Sequence, residues 1–126
     1  MPLSIMDDVV TLKMPFRFGG RFFKEKDVDF IFRIGTMEDA CEYYLKCSFE
    51  EIKDRDPSDV HMALLFAGYM TACQRQYRKP KYNFNHAVFW VTNMNKDSQA
   101  KFVKAMEDLF GKAKEKFGSK DVKKKK

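Results

Sequence analysis

Between residues 9 and 34 the apolar side chains fall on alternate positions. Val10, Leu12, Met14, Phe16 and Phe18 keep one parity up to the pair Gly19-Gly20, and Val28, Phe30, Phe32 and Ile34 keep it again, with Asp29 and Arg33 between them. A period of two is the signature of strands that bury one face. Gly19-Gly20 marks a turn or a bulge, and the polar stretch Lys24 to Asp27 offers a second place to turn. Two or three antiparallel strands with one aromatic face are therefore expected over 9–34.

After Gly35 the period lengthens. Ala40, Tyr43, Tyr44 and Cys47 are spaced for one face of a helix, with Thr36 as its N-cap and Met37 to Lys46 as its body. Ser48-Phe49-Glu50-Glu51 is a capping box opening a short turn that ends near Arg55. Asp56-Pro57 starts the next helix, because an acid suits the N-cap and proline the first helical position. Its middle, Val60 to Cys73, is apolar almost all round, which predicts a helix enclosed by its neighbours. Gly68 inside it predicts a close backbone approach or a kink. Arg75, Arg78 and Lys79 suit the negative end of the helix dipole, and Pro80 ends the run. Asn83 or Asn85 caps a shorter helix from Phe84 to about Asn93. A last amphipathic helix runs from Asp97 or Ser98 to Phe117. The pattern defines an α+β domain over 1–117, a hairpin or small sheet followed by four or five helices over about 37–117, with 118–126 as a disordered tail.

Composition narrows the function. With 126 residues, 44% of them hydrophobic and 15% aromatic, the chain can fill one core. No apolar run reaches the ~18 residues of a membrane span, so a cytoplasmic protein is expected. The net charge of +6 lies wholly from Lys112 onward, where eight lysines face Glu115 and Asp121. The rest of the chain is balanced, and a run ending in four lysines repels itself and has nothing to bury. Cys41, Cys47 and Cys73 form no metal-binding or disulfide spacing, and His61 and His86 accompany no nucleophile signature. No catalytic residue, metal or cofactor is expected, leaving a thiol or metal enzyme as the weakest reading.

Two binding readings remain. Arg75, Arg78, Lys79 and Lys81, interleaved with Tyr77 and Tyr82, have the composition of a single-stranded nucleic-acid contact, to which the lysine tail would add. The same bases are ordinary at a helix C-terminus, and the missing lysine/arginine-glycine-aromatic motif and strand order count against an RNA-recognition fold. Thirteen Phe and eight Met instead favour a protein that works by apolar contact.

From Phe30 onward, about two-thirds of the chain resembles the tail assembly chaperones of long-tailed bacteriophages. The resemblance rests on the strand-to-helix passage Phe30-Ile31-Phe32-Arg33-Ile34-Gly35-Thr36-Met37, the apolar helix with Leu64-Leu65-Phe66-Ala67-Gly68-Tyr69, the turn at Lys79-Pro80, and the helix ending Phe89-Trp90-Val91. It implies a homo-oligomer in the host cytoplasm that keeps the helical, apolar tape measure protein soluble until tail tube protein replaces it. It also implies a longer form made by ribosomal frameshifting, which the A-rich codons of the lysine tail would suit. The resemblance transfers no catalytic residues. The expected contact residues are Phe16, Phe18, Phe22 and Phe23 of the hairpin, and Phe102, Met106, Phe110 and Phe117 as exposed positions of the last helix.

Overall fold

The computed structural model describes residues 9–18 and 22–118. Strands β1 (Val9–Phe18) and β2 (Phe22–Ile31) form one antiparallel hairpin, in register from Val9↔Ile31 to Phe18↔Phe22. Helix α1 (Ile34–Asp39) continues into a π-helical turn, Ala40–Leu45, and a 3₁₀ turn spans Phe49–Asp54. Helices α2 (Pro57–Arg75), α3 (Phe84–Asn93) and α4 (Lys96–Ala113) follow, the last ending in a π turn, Lys114–Gly118. The α+β architecture read from the sequence is the one observed. The glycines of the hairpin connection and the lysine run lie outside the described residues.

Alternation governs the hairpin. Leu12, Met14, Val28 and Phe30 are buried on one face, while Thr11 and Lys13 on the other bond Asp29 and Asp27 at 2.7 and 3.2 Å. Lys24 to Asp27 lie in mid-strand, so the alternative of a turn there does not hold. Nor does β2 extend to Ile34. The chain leaves the sheet after Ile31, whose carbonyl accepts the Thr36 hydroxyl at 3.0 Å.

That bond also corrects the expected N-cap. Arg33 holds the cap position with extended backbone, and Thr36 sits inside the first turn of α1, fully buried. Its hydroxyl lies 2.9 Å from that of Thr71, which reaches the Ala67 carbonyl at 2.8 Å. Buried hydroxyls need partners, and here they tie the strand end to α2.

The hairpin edges differ. Ser98 donates its hydroxyl to the Lys13 carbonyl at 2.9 Å, and Pro15 has no N–H to donate. Lys13, Pro15 and Ile31 share odd parity in a register that pairs odd with odd, so odd residues turn their backbone groups away from the partner strand. On β1 that edge is closed by proline and by the start of α4. On β2 the outward residues include Glu25, Asp27 and Asp29, whose outward backbone groups make no hydrogen bond among the described residues.

Three later start signals operate as the sequence predicts, at Ser48, Asp56 and Asn83, while the last helix begins at Lys96 with Asn95 as its N-cap, ahead of the expected Asp97 or Ser98. Glu51 accepts from the Ser48 N–H, Asp56 from Ser58, Asn83 from His86 and Asn95 from Ser98, at 2.8, 2.8, 3.3 and 2.7 Å. The backbone and side-chain bonds from Ser48 hold the Glu51 carboxyl below its usual range. Gly68 is explained by a side chain and not by a kink or a second backbone. A β-carbon there would stand 2.3 Å from Cε1 of Phe32, whose ring stacks on Phe30 at 5.8 Å.

Helix α2 stops at Arg75, ahead of Arg78, Lys79 and the expected stop at Pro80, because the chain reverses through Tyr77 at φ 56. The Arg78 N–H reaches the Cys73 carbonyl at 2.9 Å, and the Tyr77 N–H reaches that of Gln74 at 3.2 Å. This is a Schellman ending with tyrosine where glycine is usual. Left-handed backbone costs a non-glycine residue about 1–2 kcal/mol, partly offset by the extra entropy glycine loses on folding. Because Tyr77 is 90% exposed and gives up little packing, Tyr77→Gly should stabilise the fold by ~0.5–1 kcal/mol net. A urea midpoint unchanged or lowered would show that the tyrosine ring contributes more than its exposure suggests.

Candidate functional site

Among the described residues, two concavities flank the hairpin. The first, about 410 Å³, lies between the distal half of β1 and the start of α3, lined by Pro15, Phe16, Arg17, Asn83, Asn85, His86 and Phe89. Alternation turns Phe16 toward the body, where its ring lies 5.0 Å from Tyr82 and 5.8 Å from Trp90, edge-on to the latter. It remains half-buried, with the Lys26 ammonium 5.4 Å above its ring. Arg17, of opposite parity, covers the Phe89 ring at 5.4 Å. The groove thus has aromatic walls and a cationic lip, suited to an apolar side chain.

The second cleft, about 520 Å³, separates β2 from the segment after α2. Asp27 and Asp29 form one wall and Arg78, Lys79 and Lys81 the other, above Tyr69, Cys73 and Tyr82. The Tyr69 hydroxyl accepts from the backbone N–H groups of Lys81 and Tyr82 at 2.6 and 3.1 Å, which pins the basic segment to α2. Burial raises the Tyr69 phenol pKa. Three of the four bases read as a nucleic-acid contact therefore share one rim, while Arg75 stays on the last turn of α2. Asp29 is held by Thr11 and by Gln76 at 3.2 Å.

The expected contact residues separate. Phe16 lines the apolar groove. Phe102 and Met106 are 3% and 4% exposed and belong to the core with Leu109 and Ala113, so the exposure expected of them is corrected. They form the face by which the amphipathic α4 docks on its own domain. Phe110 is half-buried against Phe49, at 6.2 Å. The side chains of Phe18, Phe22, Phe23 and Phe117 lie outside the described residues. Sequence reading passed over a small aromatic ledge, where exposed Tyr43 neighbours Tyr44 and the Tyr44 ring stacks on Phe84 at 5.8 Å. Its only signal was the adjacent pair Tyr43-Tyr44, both of which lie within the π-helical turn Ala40–Leu45.

Both histidines have structural occupations. His61 packs edge-on against Phe102 at 5.5 Å, and its burial lowers its pKa. His86 Nδ1 accepts from the Asn83 N–H at 3.2 Å. Among the described residues no group of three His, Cys, Asp or Glu side chains is placed to hold a metal ion, and no helix is long and apolar enough to cross a membrane. Compared with protein families, curated proteins and solved structures, the chain finds no match in any of the three.

Proposed function

We propose that this chain is a non-enzymatic tail assembly chaperone, acting in the host cytoplasm, that shields a helical, apolar tape measure protein before tail tube protein displaces it. The observation that supports this reading is the aromatic groove between β1 and α3. It offers about 410 Å³ beside Phe16 and Phe89, with an arginine and a lysine over its rings. An apolar side chain entering it would gain roughly 1.5–3 kcal/mol by leaving water, and a helix presents such side chains at three- and four-residue spacing. Homo-oligomerisation would multiply these modest contacts along a long helical partner.

Co-expression with a tape measure protein of a long-tailed bacteriophage tests the reading. The partner should stay in the soluble fraction with the wild type and largely precipitate with Phe16→Ser, provided circular dichroism shows the variant folded. The complex should survive high salt, because apolar burial is not screened. A partner equally soluble with and without this chain would refute the proposal.

A second reading rests on the placement of Arg78, Lys79 and Lys81 on one rim, beside a Tyr77 ring that is 90% exposed. Stacking on tyrosine with phosphates on the bases is how sequence-tolerant single-strand binding is built. The facing Asp27 and Asp29 oppose it. Binding of a single-stranded oligonucleotide that falls steeply with salt, and falls further in Lys79→Glu, would favour this reading.

A further inference from the structure

Cys41 lies in the π-helical turn and Cys47 just beyond it. Between them Lys46 takes a left-handed backbone, φ 56, which brings the Cys47 N–H to 3.1 Å from the Cys41 carbonyl oxygen. With one hydrogen bond joining their backbones, covalent dimensions keep the two α-carbons within about 7 Å. Disulfides span ~4.4–6.8 Å between α-carbons. The side chains lie near each other as well, since the Cys47 thiol helps to raise the pKa of the Cys41 thiol. Both cysteines are free, Cys41 buried and Cys47 half-buried. Both also line a cleft of about 250 Å³ with Met37, Glu38, Glu42 and Phe49. Cys73 is buried on α2, beneath the basic segment.

We propose that Cys41 and Cys47 form a thiol–disulfide exchange site that reacts with low-molecular-weight disulfides and closes into an intrachain bond. Cys47 is the entry point because it is the more exposed. It loses its proton to water and its sulfur attacks one sulfur of the incoming disulfide. That sulfur–sulfur bond breaks and the first small thiol leaves as a thiolate, which takes up a proton. Cys41 then loses its proton and attacks Cys47 Sγ, breaking the mixed disulfide and releasing the second small thiol. One small disulfide is reduced to two thiols, and the protein dithiol is oxidised by the same two electrons. Burial, ahead of the neighbouring Cys47, pushes the Cys41 thiol up to about 11 in the reduced chain. The product bridges the turn at Lys46, fixing the end of α1 to the segment that leads into the 3₁₀ turn.

The test uses the folded full chain and glutathione disulfide, followed by alkylation of remaining thiols and peptide mapping. The expected product is lighter by two hydrogens before alkylation, carries a Cys41–Cys47 link, and leaves Cys73 alkylated. Amide exchange across 40–47 should slow at least tenfold on oxidation. Cys41→Ser should stop at a glutathione adduct on Cys47, whereas Cys47→Ser should give no intrachain link. Three alkylated cysteines, a lasting glutathione adduct on the wild type, or a link to Cys73 would each overturn the proposal. The mapping needs only the wild type, so a variant that fails to fold does not weaken it.

Discussion

Trp90→Ala is expected to lower the thermal midpoint by about 10–20 °C, measured by circular dichroism, for a loss of about 3–5 kcal/mol. The indole is fully buried, with the rings of Phe16, Phe30, Tyr69 and Tyr82 within 6.0 Å of its own, all four edge-on. Those four rings come from β1, β2, α2 and the segment before α3, so one side chain joins the hairpin to the helical layer. Removing it leaves a cavity bounded by stiff rings that cannot collapse, which places the cost at the upper end for large-to-small changes. Trp90→Phe should cost far less, about 1–2 kcal/mol. It keeps an aromatic filler and removes Nε1, which has no hydrogen-bond partner among the described residues. Equal losses from the two variants would show that the ring contacts are not what Trp90 contributes.

The second large effect is at Gly68. Alanine normally stabilises a helix interior by ~1 kcal/mol relative to glycine. Here the added methyl would lie 2.3 and 2.7 Å from Cε1 and Cδ1 of Phe32. That ring is confined on its other sides by Phe30 at 5.8 Å and Phe102 at 5.8 Å. Overpacking costs about 1–3 kcal/mol, so Gly68→Ala should be a net loss of about 1–2 kcal/mol and Gly68→Val a larger one. Phe32→Ala in the Gly68→Ala background should recover the helix gain, so that the double variant is more stable than the sum of the single losses predicts. Strictly additive losses in urea titrations would place the obstruction elsewhere.

Much of this fold is legible because local chemistry and tertiary packing agree. The alternation of Leu12, Met14, Val28 and Phe30 sets the sheet face, and the side chains of Asp56, Asn83 and Asn95 begin helices where their short acceptors can reach free amides. Disagreement arises where a long-range contact outweighs a local preference. Thr36 has the chemistry of an N-cap, but its hydroxyl serves the strand end and α2 instead. The bases through Lys79 suit a helix end, yet α2 closes at Arg75 because Tyr77 accepts a left-handed backbone that no propensity assigns to tyrosine. The surface was the harder part to read. Amphipathic spacing on α4 identifies Phe102 and Met106 as one face without saying whether that face meets its own domain or a partner. Only the packing around them decides, and it places them inside.

The open side of β2 limits how copies of this chain could assemble. Antiparallel pairing of two such edges must set odd residues opposite odd residues, and every centred register then brings Glu25, Asp27 or Asp29 against a carboxylate of the other copy. Like charges directly opposed across strands are destabilising. The acidic border thus disfavours ribbon growth by edge joining.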